Sequence, residues 1–212
     1  MKGLFITFEG GEGTGKSTQI KLFANYLKGQ NIPFILTREP GGSPGAEEIR
    51  NLLLKGEASK WDKMSEILLF TAARRDHLIK KIWPALEQGT CVISDRFMDS
   101  TLAYQGYGYG EDEETINLIN KLYKMIAGDF TPNITFFLDI DPKIGIARSM
   151  ARAGNDEQRF EGMDLTFHNN LRQAFLDIAR KEPARSVIIN ADQSIDQVHH
   201  DIIQKFKEKT IC

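Results

Sequence analysis

Cysteine is scarce in this sequence, and charges of the two signs nearly cancel. The 212 residues include two cysteines, Cys91 inside an apolar segment and Cys212 at the last position. Two such residues make no disulfide framework, so we expect a reducing compartment and a cytoplasmic location. The 27 lysines and arginines nearly balance 29 aspartates and glutamates, giving a net charge of −2. A surface with this balance gives no electrostatic reason to expect a nucleic-acid partner.

Long apolar runs are also absent. No stretch approaches the roughly 20 apolar residues that a membrane-spanning helix needs, so no membrane association is expected. The first residues enter a strand-like segment directly, without the apolar core and cleavage site of a secretory signal. With these classes set aside, the chain is most simply one α/β domain over residues 1–212, long enough for a substantial core.

Strand and helix patterns alternate to the end of the chain. Segments rich in β-branched and aromatic residues predict strands at 4–9, 34–38, 91–95, 134–139 and 187–190. Apolar residues at helical spacing predict helices at 16–28, 46–54, 62–88, 113–127, 142–153, 164–182 and 194–209. This alternation predicts an α/β fold with a five-stranded, mainly parallel sheet and helices on both faces. Ligands bind such sheets at the carboxyl ends of the strands, so functional residues are expected just after positions 9, 38, 95 and 139.

Residues 10–17, with the sequence GGEGTGKS, match the phosphate-binding pattern G-x-x-x-x-G-K-[ST]. A predicted strand precedes them and a predicted helix follows, which favours a triphosphate site over a glycine-rich turn beside a surface lysine. Glycines let backbone N–H groups wrap around phosphate, and the helix N-terminus adds its positive dipole. Lys16 is expected to reach the β and γ oxygens, and the Ser17 hydroxyl is expected to bind Mg²⁺. The candidate ATP-binding residues here are Gly10, Gly11, Glu12, Gly13, Thr14, Gly15, Lys16, Ser17 and Thr18.

Asp95 is the last residue of the third predicted strand, and Arg96 follows it directly. A carboxylate at this position can hold Mg²⁺ directly or through water, and an adjacent guanidinium can bind phosphoryl oxygens. The alternative is a structural ion pair of Asp95 with Arg96 or Arg38. The position at the strand end favours the functional interpretation.

Phe70 and Arg74 lie one turn apart on the long predicted helix at 62–88. At 100° per residue they fall away from the centre of its apolar stripe, where a ring can stack on a planar ligand and a guanidinium can reach its carbonyl oxygens. Packing of Phe70 against a neighbouring helix is the alternative. Arg75 falls inside the stripe without an evident reason. The stripe consists of Met64, Ile67, Leu68, Ala72, Leu78, Ile79, Ile82 and Leu86.

Two further segments carry polar groups. Residues 99–105 offer donors and acceptors suited to a base edge and a sugar, and the Gly-Tyr repeat at 106–110 is interpreted as a flexible loop. Arg148, Arg152 and Arg159 are spread over 147–161. Because the phosphate loop holds no arginine, this segment is the best candidate for a lid that supplies positive charge on closure. A solvated helix face is the alternative.

Together these motifs resemble the thymidylate kinases, over nearly the whole chain. The matching segments are FEGGEGTGKST at 8–18, TREPGG at 37–42, FTAAR at 70–74, DRF at 95–97 and STLAYQ at 100–105. A loop with Glu12 and no arginine, combined with a basic lid, is similar to the bacterial form of the family. The resemblance implies a three-layer P-loop fold, transfer of the ATP γ-phosphoryl group to dTMP with Mg²⁺, a place in dTTP biosynthesis, and a homodimer packed through helices.

For the nucleoside of the acceptor, the resemblance implies contacts from four side chains. Phe70 would stack on thymine and Arg74 would bond a base carbonyl. Thr101 and Gln105 would lie at the pyrimidine edge.

For the sugar and the phosphates, the resemblance implies further roles. Tyr104 would crowd the sugar C2′ and Glu12 would approach the 3′-hydroxyl. The acceptor phosphate would be held by Arg38, Arg50 and Arg96. Arg148 would lie over adenine, while Arg152 and Arg159 would cover the transferred group. Catalysis would then depend on Lys16, Asp95, Arg96, Arg152 and Arg159. Phe97 replaces the tyrosine or histidine more usual after Asp-Arg, which removes a side-chain hydrogen bond at that position.

Two alternatives remain open at this point. The chain could be a kinase for another nucleotide or for a deoxynucleoside, although Arg38, Arg50 and Arg96 favour an acceptor that already carries a phosphate. It could also be a nucleotide-gated switch or partner-binding module, for which the sequence lacks a guanine-reading N-K-x-D after a strand.

Overall fold

A computed structural model describes residues 2–57, 60–108, 110, 112–151 and 163–210. Within these ranges a parallel five-stranded sheet has the order β2-β3-β1-β4-β5. The predicted parallel α/β architecture is confirmed, and each strand begins and ends within one residue of its predicted position. The strands are β1 Phe5–Glu9, β2 Phe34–Arg38, β3 Cys91–Asp95, β4 Ile134–Asp139 and β5 Ser186–Asn190.

Helices connect the strands. They are α1 Lys16–Gly29, α2 Pro44–Leu54, α3 Lys63–His77, α4 Trp83–Glu87, α5 Met98–Thr101, α6 Glu113–Ala127, α7 Pro142–Met150, α8 Leu165–Lys181 and α9 Ile195–Thr210. A π-helical turn, Leu78–Ile82, joins α3 to α4, so the predicted long helix at 62–88 is one continuous rod. Across the described ranges, none of the helices combines the length and the apolar character needed to cross a membrane.

The core lies on both faces of the sheet because side chains alternate along each strand. Phe8 packs on one face with Phe23 of α1 and with the apolar side of α9. Phe5 points to the opposite face, where it meets Phe97 edge-on at 4.9 Å and stacks on Phe130 at 5.4 Å. This packing fixes the loops at the carboxyl ends of β1 and β3 relative to each other.

The segment that follows β3 differs from its prediction. Helix α5 continues into a π-helical segment, Leu102–Tyr107, which includes the first two residues of the predicted Gly-Tyr loop at 106–110. Gly108 and Gly110 lie outside helices. Ala103 and Tyr104 are buried against α8, which holds this segment in helical form despite its glycines. A methyl group on Gly108 would lie 2.5 Å from the Phe167 ring and 2.7 Å from the Tyr104 carbonyl. The glycine therefore permits the close approach of α8.

The apolar stripe predicted for α3 is partly wrong. Met64, Leu68 and Ile79 are 44–48 % exposed, whereas the buried face carries Glu66 and Arg74. Apolar periodicity misplaces this face because three of its buried side chains, Glu66, Arg74 and His77, are polar and bond partners on other elements.

Arg75 has an explanation in the fold. Its guanidinium lies 5.3 Å above the Trp83 ring and donates a 2.6 Å hydrogen bond to the Ile126 carbonyl. The arginine thus joins the end of α3 to α4 and α6, which accounts for its place among apolar residues.

Candidate active site

The phosphate loop connects β1 to α1, as predicted. Gly13 has φ 66°, and a Cβ there would lie 1.8 Å from the Gly145 carbonyl oxygen, so only glycine fits. Thr14 Oγ1 closes the turn by donating to the Gly11 carbonyl at 3.1 Å. The loop leads into α1 with a left-handed Gly15 at the helix N-cap. This geometry places the loop at the positive end of the helix dipole, where anions bind.

Lys16 is buried under this loop. Its Nζ donates to the carbonyls of Gly10 at 3.0 Å and Gly11 at 2.8 Å. Burial, together with repulsion from Arg96, lowers the Lys16 pKa to about 8. An anion bound against the ammonium would oppose both effects, so the site favours a phosphate ligand.

Ser17 and Asp95 meet across the start of α1 and the end of β3. Ser17 Oγ donates to Asp95 Oδ2 at 3.2 Å. A hydroxyl beside a carboxylate is an oxygen donor set that suits Mg²⁺, which usually takes one or two carboxylates and fills its other positions with phosphate and water. Among the described residues, no cluster of three or more His, Cys, Asp or Glu side chains could hold a metal ion.

A cavity opens beside the phosphate loop and encloses about 760 Å³ of empty space, its open mouth included. All but one of the residues predicted to bind the acceptor line it. These are Glu12, Arg50, Phe70, Arg74, Arg96, Thr101, Tyr104 and Gln105. Arg38 is the exception: its side chain is 53 % exposed and lies 3.1 Å from Glu47.

Arg96 forms the boundary between the cavity and the phosphate loop. It has a left-handed backbone, φ 69°, which is unusual for a residue other than glycine. Its guanidinium donates to the Gly10 carbonyl at 2.9 Å and to Glu12 Oε1 at 3.0 Å, and it lies 5.0 Å above the Tyr104 ring. Tyr104 donates to the same Glu12 oxygen at 2.6 Å. These contacts join the two halves of the site.

The Glu12 carboxylate is strongly held in its charged form. Burial opposes ionisation, but the Arg96 and Lys16 cations outweigh it and lower the Glu12 pKa to about 2. Glu12 is therefore an acceptor of hydrogen bonds on the cavity wall.

Glu9 holds Arg96 in its strained conformation. This carboxyl is fully buried at the end of β1 and accepts hydrogen bonds from the Phe97 N–H at 2.7 Å and from Ser100 Oγ at 2.5 Å. Burial, with the nearby Asp99 carboxylate, raises the Glu9 pKa to about 8. The two bonds fix the backbone that directly follows Arg96.

Arg74 belongs to a buried polar network. Its Nε donates to Glu39 Oε2 at 2.7 Å and its Nη2 donates to Thr101 Oγ1 at 2.9 Å. His77 lies 3.0 Å from the other Glu39 oxygen and 2.6 Å from Thr37 Oγ1. Burial opposes ionisation of Glu39, but Arg74 and His77 prevail and lower its pKa. The guanidinium is thereby fixed on the cavity wall.

Several of these supporting residues were missed in the sequence. Glu9 and Glu39 lie at the carboxyl ends of β1 and β2, where polar residues were expected, and that signal could have identified them. Glu66 and His77 on α3 carried no such signal, because they look like breaks in the apolar pattern.

The predicted lid is only partly described. Arg148 on α7 donates to the Ala191 carbonyl at 3.1 Å, and its guanidinium lies 3.5 Å from Asp192, beyond the end of β5. Arg152 and Arg159 lie outside the described residues. Asp139, at the end of β4, pairs with Arg172 at 2.7 and 2.9 Å.

Comparison with known proteins agrees with this geometry. The family model for thymidylate kinase matches residues 8–202. The chain is 49 % identical to the thymidylate kinase of Magnetococcus marinus over 198 residues, 93 % of this chain and 92 % of the relative, and 49 % identical to that of Caulobacter vibrioides over 197 residues, with the same coverage of both chains. The crystal structure of the Ehrlichia chaffeensis thymidylate kinase superposes with a TM-score of 0.76 at 40 % identity, covering 98 % of this chain and 99 % of that one.

The family resemblance predicted from the motifs is therefore confirmed over almost the whole sequence. The candidate site has two parts, the phosphate loop and the adjoining cavity, and Arg96 joins them. This chain belongs to the thymidylate kinase family.

Proposed function

We propose that the chain transfers the ATP γ-phosphoryl group to the 5′-phosphate of dTMP, giving dTDP and ADP, through the residues described above. The observation that carries the proposal is the cavity that adjoins the phosphate loop. Glu12 belongs to both, and Arg96 lines the cavity and bonds the loop. An acceptor in this cavity would have its phosphate at the loop and its base at the far end. The two substrates would meet at Arg96.

The base end of the cavity suits a planar pyrimidine. Phe70, 8 % exposed, supplies a ring for stacking, and Arg74 supplies fixed N–H donors for a carbonyl oxygen. Thr101 and Gln105 would lie along the edge of the base. At the sugar, Tyr104 would crowd C2′ and Glu12 would accept from the 3′-hydroxyl, which favours a deoxyribose.

The phosphate end supplies positive charge. Arg96 and Arg50 line the cavity there, and Arg50 donates to the Pro40 carbonyl at 2.6 Å. Arg38 would join them by exchanging its exposed partner Glu47 for the acceptor phosphate. A phosphate oxygen is already anionic at pH 7, so the reaction requires no general base. Alignment and neutralisation of charge by Lys16, Arg96 and the lid are what the chain contributes.

On the donor side, Ser17 and Asp95 would hold Mg²⁺. When bound, that ion neutralises charge on the β and γ oxygens of ATP. Arg148 would lie over adenine, and Arg152 and Arg159 would cover the transferred group.

The family resemblance also implies a homodimer, and the exposed apolar face of α3 supports it. Met64 and Leu68 of α3 and Ile79 of the π-helical turn that follows form this face, which we call the α3 apolar face. A second copy of the chain would remove it from water. We further propose that residues 1–212 are one domain. We also propose that the protein works in the cytoplasm, because its buried Cys91 is a free thiol.

A coupled ADP-release assay tests the proposed function. Purified protein with ATP and Mg²⁺ is offered a panel of nucleoside monophosphates, and turnover is expected to be fastest with dTMP. Activity confined to a purine monophosphate, or ATP hydrolysis independent of any acceptor, would overturn the proposal.

A further inference from the structure

Gln105 has the two ends of its side-chain amide in different surroundings. Nε2 donates a 2.7 Å hydrogen bond to Glu66 Oε1, and both residues are buried. Gln105 lines the cavity and Glu66 does not. Among the described residues, Gln105 Oε1 accepts no hydrogen bond. The atom is not completely shielded from solvent. Its contact with solvent is therefore through the cavity that Gln105 lines.

Glu66 decides which end of the amide faces the cavity. A carboxylate only accepts hydrogen bonds, so it must face the amide nitrogen. Turning the amide over would place two acceptor oxygens against each other in a buried site, which costs free energy. The π-helical segment Leu102–Tyr107 fixes the Gln105 backbone, and the side chain is buried.

Arg74 completes a pattern on the same cavity. Bonds to Glu39 and Thr101 hold its guanidinium, which carries N–H donors only. The cavity therefore offers fixed donors from Arg74 and a fixed acceptor from Gln105 Oε1.

We propose that Glu66 is a specificity-determining residue that acts through Gln105. By holding the amide nitrogen, it presents an oxygen acceptor that selects a pyrimidine with an N3–H and a C4 oxygen, as in thymine and uracil. Cytosine has the reverse pattern, a bare N3 and an amino group at C4, so it would meet acceptor with acceptor and donor with donor. The inference rests on the proposed placement of the base in this cavity.

The test compares dTMP, dUMP and dCMP as acceptors for the full-length enzyme and the Glu66→Gln variant. The new amide can donate as well as accept, so Gln105 can turn over. We expect the ratio of kcat/KM for dTMP over dCMP to fall about tenfold, mainly through a higher KM for dTMP. The KM for ATP should stay within twofold. The ratio for dTMP over dUMP should not change, because both bases carry the same imide group.

Three further variants separate positioning from general damage. Gln105→Met, which removes the acceptor, should lower the dTMP over dCMP ratio by a similar factor. Adding Glu66→Gln to it should lower the ratio no further. Ile67→Val changes a buried neighbour that does not line the cavity, and it should leave the ratio unchanged.

The inference is overturned if Glu66→Gln keeps the dTMP over dCMP ratio of the parent enzyme. It also fails if Glu66→Gln lowers the dTMP over dCMP ratio as much in the Gln105→Met background as in the parent enzyme. A drop of the same size in Ile67→Val would likewise contradict it. Should Glu66→Gln not fold, an unchanged ratio in Gln105→Met alone would overturn it. A parent enzyme without dTMP turnover would instead refute the proposed function.

Discussion

At the scale of single residues, Lys16 has the most direct role to test. Its ammonium lies under the phosphate loop and bonds two loop carbonyls. Replacing it in Lys16→Met removes the charge that would face the β and γ oxygens during transfer. We expect kcat to fall about 10²-fold or more, with a small change in the KM for dTMP. Steady-state kinetics measure both.

Lys21 provides the matched control for this change. It lies on the same helix α1 but is exposed. Lys21→Met should retain the parent kcat. Near-normal turnover by Lys16→Met would remove the phosphate loop lysine from the mechanism.

The raised pKa of Glu9 predicts how the stability of the fold depends on pH. Its pKa is raised from 4.5 to about 8 by burial and by Asp99. Between these pH values the unfolded chain has lost this proton while the folded chain keeps it. Stability from this group is therefore full below pH 4.5 and is lost as pH rises through about 8, by up to about 1.4 kcal/mol per pH unit.

Glu9→Gln replaces the carboxyl with an amide that does not titrate, so it should flatten the dependence of the free energy of unfolding on pH. The free energy of unfolding is measured with urea at pH 6.0 and at pH 7.5. From the lower to the higher pH, it should fall by up to about 2 kcal/mol more in the parent than in the variant. The comparison uses the difference between two pH values, so hydrogen bonds lost at both cancel. Parallel profiles for the two proteins would show that Glu9 is already ionised in the folded state.

Residue types at strand ends predicted many of the residues that line the site, but not the buried residues that hold them in position. The positions of Lys16, Asp95 and Arg96 follow from a loop pattern and a topology rule, both of which depend on local sequence. Glu66 and His77 act through partners 39 and 40 residues away in the chain. No local pattern encodes a contact at that separation.

At the scale of helices and strands, the strands were the easiest to predict. β3 and β4 are buried almost throughout, so they appear as short apolar runs whose ends are polar. The helical segment after β3 was missed because residues 99–105 are mostly polar and the Gly-Tyr repeat that follows them is typical of a loop. Packing against α8, rather than intrinsic propensity, decides its conformation.

Gly108 tests that packing. A Cβ at this position would lie 2.5 Å from the Phe167 ring, so Gly108→Ala must push α8 and the π-helical segment apart. We expect a loss of about 1–3 kcal/mol in the free energy of unfolding and a higher KM for dTMP, since Tyr104 and Gln105 lie on that segment. Urea unfolding and steady-state kinetics measure the two effects.

Gly29 is the matched control, because it ends α1 and a Cβ there meets no atom within 4 Å. Gly29→Ala should be neutral or slightly stabilising. If Gly108→Ala behaves in the same way, the close approach of α8 is not what holds this segment.

At the scale of the whole molecule, the parallel sheet brings the site together. The carboxyl ends of β1, β2 and β3 meet at one edge, which places Glu9, Glu39 and Asp95 near the phosphate loop although 86 residues separate the first from the last. The alternation of strands and helices was enough to predict that convergence. It could not predict which helix face remains open to water, because that depends on what covers the face.

The α3 apolar face leads to the last prediction, which concerns oligomeric state. Leu68 lies in its middle and is 48 % exposed. If a second copy covers this face, sedimentation should give about twice the chain mass of 24.0 kDa. Leu68→Glu would place a charge in the interface and should give the single-chain mass, with little change in the unfolding of the separated chain. Ile195→Glu, at a 58 % exposed position that begins α9, should remain a dimer. A parent protein that sediments as one chain would show that this face stays in water.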